Sequence, residues 1–409
     1  MYEIAGPNSI ENREKVAPMK HLLLSLALLQ CHPALATTYF VSAIGSDSNA
    51  GTQAQPFRTI QRAADLVNPG DRVIVNDGTY RGSDSNTTPI VTINRGGSAR
   101  NYVIFQSANK WGAKLDGQNR LSAGIAFGKG VSYVRIQDFE IYGIATGAPG
   151  GAVGIDLENA GGFIDIAGDN FHDIGKICTD SAYGQDAIFG ATTHDIVIEQ
   201  NFIHDIGRFA PGENGCTPLT GYYQNHDHGI YIASGSRYTI QNNIFYNNAR
   251  GWSIQLYPHA LSHITIVNNT FVAPNPYREG QILVGAAIAS SVISNNIFYQ
   301  PTIAGIDFDF ITGFQDLTVS NNLSTNGLYV YNRTPTGVSY VKNRTDRAAV
   351  TVLADPGVDF HLKTGSPAIG AGEHTNAPAS DYDGATRSNP PCIGAYDMRE
   401  LLPPNNSSD

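Results

Sequence analysis

Seven short segments of this chain end alike: a β-branched run, a polar residue, then Asp or Asn followed by an apolar residue. They read VRIQDF, DIAGDNF, VIEQNF, TIQNNIF, TIVNNTF, VISNNIF and TVSNNL. The shared residue falls at Asp138, Asn170, Asn201, Asn243, Asn269, Asn296 and Asn322, at intervals of 32, 31, 42, 26, 27 and 26 residues. A strand-plus-asparagine unit recurring at such a period is a solenoid signature. Each unit is too short to bury a core alone, so neighbours must stack. Asparagine tolerates the left-handed backbone region, and its amide can bond the next Asn along the stack. The pattern predicts an all-β fold, a single-stranded right-handed parallel β-helix over about residues 90–345. Function would then lie on a face built from equivalent positions of adjacent rungs.

Composition agrees with many short turns, with 43 Gly and only 15% charged residues. The net charge of −10 argues against general nucleic-acid binding. The repeats favour one elongated body, read as a monomer, over several domains.

Met19-Lys20, the apolar run Leu22 to Leu29 and Ala34-Leu35-Ala36 have the layout of an export signal. The run is too short to span a bilayer. Acidic residues Glu3, Glu11 and Glu14 ahead of it suggest that translation starts at Met19. Residues 1–36 are therefore expected to be a signal region, 37–397 the β-helix domain and 398–409 a polar tail. The expected destination is secreted or periplasmic. In that compartment Cys178 and Cys216, in loops after consecutive rungs, are placed for a disulfide; two separate buried thiols are the alternative.

Near the start of the body, Pro56 is expected to open a helix over 56–67, its face made by Ile60, Ala63, Ala64 and Val67. Such a helix can plug the open end of a solenoid. Residues 39–80 resemble the entry segment of secreted right-handed β-helix proteins of the pectate-lyase-like superfamily. SPAIGAG (366–372) and DYDGATRSNPPCIGAYD (381–397) resemble the closing segment of that superfamily's choice-of-anchor group. Gly370 stands where that pattern usually has Asp, and no anchor follows Asp397. The resemblance implies the fold and a carbohydrate-active protein acting on a polysaccharide. Its members include lyases, epimerases and hydrolases.

The second strand of each rung, aligned on its Ile, gives two outward columns. One holds Val153, Asp186, His228, Trp252, Gly280 and Ala304; the other holds Asp156, Phe189, Tyr231, Gln255, Leu283 and Asp307. With rungs about 4.8 Å apart, Asp186 and His228 become neighbours, with Trp252 and Tyr231 beside them. A carboxylate next to an imidazole suits general acid–base work, and aromatic faces suit sugar rings. The chain's long insertion, 207–225, ends here, bringing Tyr222, Tyr223 and His226 as further binding candidates, with Tyr257 and His259 following Trp252. The competing reading is a solvated polar ladder with no function.

Lys176, Arg208, Arg250 and Arg278 follow their rung's Asn at similar distances and would form a cationic stripe able to hold uronate groups. They can equally cap turns. In the lyase chemistry implied by the resemblance, a base removes the proton α to a uronate carboxylate while a cation neutralises that group. Ca²⁺ is one such cation, with Asp138, Asp156, Asp180, Asp186 and Asp307 as weak ligand candidates; Arg208 and Arg250 are others. His228 is the expected base. The leading expectation is a polysaccharide lyase or related epimerase acting on a uronate polymer. A glycoside hydrolase using Asp156 and Asp186, or a non-catalytic carbohydrate-binding protein, is the alternative.

Overall fold

The computed structural model describes residues 36–82, 88–147, 151–217, 224–248, 250–276, 278–311, 313–345 and 352–398. The expected signal region up to residue 35, Tyr222, Tyr223 and the tail beyond Met398 lie outside them. Three parallel sheets form the body, and the turns of the chain between its two ends contribute to all three. One such rung runs Gly235–Gln241 in the first sheet, Ile244–Tyr246 in the third and Ile254–Leu256 in the second. This is a β-helix, filled by stacked side chains such as Ile198, Ile240, Ile266, Ile293 and Phe245, Phe271, Phe298.

The solenoid begins earlier than the repeats indicate, because Thr38–Val41 already pairs in parallel with Arg72–Val75. The helix is shorter than expected, Ile60–Ala64, capped by the Thr59 hydroxyl accepting the Arg62 N–H. Pro56 does not open it: Phe57 is still extended and bridges to Val41. Ile60, Ala63, Ala64 and Val67 are buried as the apolar spacing requires.

The Asn column divides into two jobs on adjacent residues. In each corner one residue adopts a left-handed backbone: Asp138, Gly168, Gln200, Asn242, Asn268, Asn295 and Asn321. The next residue forms the ladder. The Oδ1 of Asn243, Asn269, Asn296, Asn322 and Asn343 each accepts the main-chain N–H of the ladder residue one rung before, at 2.9–3.0 Å. Two of the seven aligned positions must therefore be corrected. Asp138 belongs to the left-handed column, and the ladder passes through Asp169, not Asn170, since the Asp169 N–H donates to Asn201 Oδ1. Asn170 pairs with Phe202 in the third sheet.

The left-handed column faces outward and holds the end of the chain. Amides of Gln200, Asn242, Asn268, Asn295 and Asn321 donate to carbonyls of Asp381, Ser380, Cys392, Glu373 and Ala371. The closing segment thus lies along the side of the solenoid. Its Leu353, Phe360, Tyr382, Ile393 and Tyr396 form a second core against Ile244, Val272, Ile297 and Leu323 on the outer face of the third sheet.

Candidate functional site

Pairing in the second sheet aligns Val153 with Asp186 and Asp156 with Phe189, Tyr231, Gln255, Leu283 and Asp307 in turn. Strict two-residue alternation does not produce these two outward columns, which stand three residues apart. A Cβ at Gly154, Gly229 or Gly305 would meet Phe171, Phe245 or Phe298 of the core, so that position points inward. The following Ile155, Ile230 and Ile306 are wholly buried too. A cavity of about 480 Å³ lies over the columns. Asp156, Glu158, Asp186, His226, His228, Tyr231, Trp252, Gln255 and Tyr257 all line it, and among the described residues no Lys or Arg does.

At its floor Asp186 and His228 are adjacent, yet their side chains are not hydrogen-bonded to each other in the expected way. Asp186 Oδ1 accepts the main-chain N–H of His228 at 2.8 Å. The His228 imidazole instead accepts the Trp252 main-chain N–H on Nδ1, at 3.2 Å. That bond needs a lone pair on Nδ1 and leaves the ring proton on Nε2. Burial pushes the imidazole down to about 3, helped by His226 and Arg278. His228 is thus a neutral donor with its basic lone pair occupied, which corrects its expected role as base. His226 takes the opposite tautomer, since its Nδ1 faces the Ala182 carbonyl and must donate.

Burial raises the Asp186 carboxyl well above the usual carboxylate range, and the neighbouring Asp227 adds to this. Burial also raises Asp156 and the Tyr231 phenol. The floor therefore holds its protons to higher pH than ordinary carboxyl or phenol groups do. Trp252 stacks on His228, centroids 6.0 Å apart, and the Arg278 guanidinium lies 5.0 Å from the Trp252 ring centroid. Asp307, near Arg278, is pushed up to about 7 by burial and then by Asp309 and Glu279.

A family model described as a right-handed β-helix region matches residues 123–322 and 222–353, more than half of the chain. The chain belongs to the right-handed β-helix family. A further model, a Pel9A-like right-handed β-helix region, matches residues 39–197. Among solved structures, this β-helix protein is similar to pectate lyase Pel9A, with TM-score 0.55 and 15% identity over 89% of this chain and 96% of that one. It is also similar to a glycoside hydrolase, with TM-score 0.51 and 9% identity over 75% of this chain and 96% of that one. XylC in complex with xylose gives TM-score 0.50 and 14% identity over 75% of this chain and 70% of that one. Likeness at these identities is likeness of fold. No curated protein matches the sequence.

Of the expected cationic stripe of the β-helix protein, Arg278 lies against the cavity-lining Trp252, while Lys176, Arg208 and Arg250 do not serve the cavity. Arg208 is wholly buried and bound to Asp227 by Nε at 2.8 Å and Nη2 at 2.7 Å, with the Ser181 and Tyr183 carbonyls taking its other donors. Buried Arg250 donates to Glu213 at 2.5 Å and to the Arg208 carbonyl at 3.1 Å. Both arginines brace the insertion, so neither is available as a catalytic group. Lys176 lies over Phe209, and neither it nor exposed His259 lines the cavity. Of the metal candidates Asp156 lines the cavity, while Asp180 is exposed outside it. Among the described residues no three His, Cys, Asp or Glu side chains converge as a ligand set. Cys178 and Cys216 are bonded, Cα atoms 5.6 Å apart, and tie the insertion to the preceding rung.

Three participants escaped the sequence reading. Glu158 donates its main-chain N–H to Asp156 Oδ1 at 2.9 Å and stands at the cavity edge. Its place two residues beyond Asp156 was the available signal. Phe310 packs on Tyr257 from a later rung, 5.0 Å between centroids, and nothing in the local sequence marks it. Asp227, beside His228 in sequence, is the anchor of Arg208, a pairing that no spacing marks.

Proposed function

We propose that this protein is a carbohydrate-active enzyme that cleaves glycosidic bonds by acid–base chemistry on the second sheet. One observation carries the reading: a single cavity holds a carboxyl with strongly raised pKa, Asp186, with two further carboxyl groups, Asp156 and Glu158, and no Lys or Arg among its described lining residues. Carboxyls pushed apart in proton affinity are the working pair of glycoside hydrolysis. Asp186 would protonate the leaving oxygen, and Asp156 would activate water or attack the sugar. Trp252, Tyr231 and Tyr257 offer faces for sugar rings, and Gln255 a polar contact. The acidic lining disfavours a uronate in the cavity itself. Residues 1–36 are read as the export signal and 37–397 as the working body, which puts the enzyme outside the cytoplasm.

Elimination on a uronate polymer is the second reading, favoured by the Pel9A-like match over residues 39–197. In it His226, whose neutral tautomer leaves a lone pair on Nε2, would be the base, and Arg278 the neutralising cation.

Purified protein should be given neutral glycans and, separately, pectate, alginate and glycosaminoglycans, with and without chelator. New reducing ends without ultraviolet-absorbing products support hydrolysis; absorbing, unsaturated ends establish the lyase reading instead. Asp186→Asn keeps the acceptor for the His228 N–H and should lower turnover by about 10²-fold or more, within the range of general acid catalysis. Unchanged turnover would remove Asp186 from the chemistry.

A further inference from the structure

We propose that His228 is a neutral hydrogen-bond donor that presents Nε2–H to an oxygen of the bound sugar. This rests on the glycan-cleaving reading and assigns a contact within that cavity.

The Trp252 main-chain N–H fixes Nδ1 as acceptor. Because a backbone N–H can only donate, the nitrogen it meets must accept, and the proton sits on Nε2. That atom is buried and has no hydrogen-bond partner among the described residues. A buried donor left unpaired costs about 1–3 kcal/mol, so the fold holds an unmet demand for an acceptor here. His228 lines the cavity, and with Nδ1 tied to the main chain, Nε2 is the ring atom left to meet a ligand. Neighbouring groups do not supply the acceptor. Asp186 Oδ1 is engaged by the His228 main-chain N–H, Tyr231 meets the ring edge-to-face at 5.3 Å, and Trp252 stacks on it.

The charged and titratable groups acting on the ring are Asp186 on the preceding rung, Tyr231 on its own strand, and His226, Arg208 and Arg278 around it. Burial dominates, and the nearby His226, Arg278 and Arg208 add to it in opposing a second proton. The ring therefore stays neutral through the working range and offers the same donor throughout. Its natural partner is an uncharged hydroxyl, ring or glycosidic oxygen, since the acidic side chains Asp156 and Glu158 in the same lining disfavour a further carboxylate.

Histidine ¹⁵N labelling of the full chain tests the donor without substrate, with His228→Phe identifying the resonance. The expected result is a neutral ring, protonated on Nε2 and unchanged from about pH 5 to 8. A proton on Nδ1, or titration near the ordinary value of about 6.5, would overturn the proposal. Calorimetry with xylo- and cello-oligosaccharides, and oligogalacturonate as charged comparator, tests the contact. His228→Phe should weaken binding of the neutral oligosaccharide by about 3- to 10-fold, the worth of one neutral hydrogen bond, and His228→Gln should weaken it less. Equal loss in both variants, or none, sinks the contact. Absence of cleavage for every glycan sinks the enzymatic reading alone, because the nitrogen shifts still report on the donor.

Discussion

The asparagine ladder and the cavity floor are both buried and polar, built by the same stacking of rungs, yet their hydrogen bonding differs. In the ladder, Asn269 Oδ1 accepts from both the main chain and the amide of Asn243, while its own amide reaches the Ile240 carbonyl and Asn296. Each residue repeats its neighbour, so every donor meets an acceptor one rung away. On the second sheet the column reads Asp186, His228, Trp252, and no residue repeats its neighbour. There the His228 Nε2 is left over, and Asp186 and Asp307 are held far from their ordinary titration ranges. Repetition satisfies polar groups; its interruption leaves chemistry available.

The contrast can be broken by substitution, since satisfied groups should be costly to remove and strained ones should not. Arg208→Met should have the largest effect. It strands Asp227 as an uncompensated buried charge, and about 3–5 kcal/mol of unfolding free energy should disappear in denaturant titrations. A loss under about 1 kcal/mol would show that the pair carries little.

Asp307→Asn should act in the other direction. The folded pKa of about 7 lies above the unfolded value, so the native state binds more protons between about pH 4 and 7. The stability it contributes is present below the unfolded pKa and falls as pH rises through 7. The variant should lack that slope and be more stable than the parent at pH 8, by on the order of 2 kcal/mol. Parallel melting-temperature curves from pH 4 to 8 would contradict the raised pKa.

Asn269→Ala should rank next, at about 2 kcal/mol, because it leaves the Asn243 main-chain N–H and the Ile240 carbonyl without their partner. The smallest change is expected for Asn268→Ala, about 1 kcal/mol, since it removes the amide contacts to Cys392 and Gly394 and the long bond from the Asn295 amide to its Oδ1, while the apolar contacts of the closing segment persist. Limited proteolysis distinguishes the two: Asn268→Ala should hasten cleavage within residues 352–398 before global unfolding, and Asn269→Ala should not.

Sequence alone carried the solenoid, because Ile–x–Asn spacing and the αL tolerance of asparagine are local and recur at every rung. It also carried the two columns of the second sheet, since Ile188, Ile230 and Ile254 fix the register once the period is known. It misplaced Asp138 and Asn170 because two acidic or amide residues stand together in each corner, and composition does not tell which bears the turn and which the ladder.

Only the folded chain decided what each polar group faces. Arg208 and Arg250 share a spacing that suggests a cationic stripe, but their partners Asp227 and Glu213 stand just past the end and in the middle of the insertion, whose path no periodicity encodes. His228 was visible as a candidate, whereas its tautomer was not. That depends on the Trp252 main-chain N–H 24 positions later, and a hydrogen bond made by backbone leaves no mark in side-chain sequence. Period and register follow from which residues repeat; charge state and proton position follow from what surrounds them in three dimensions.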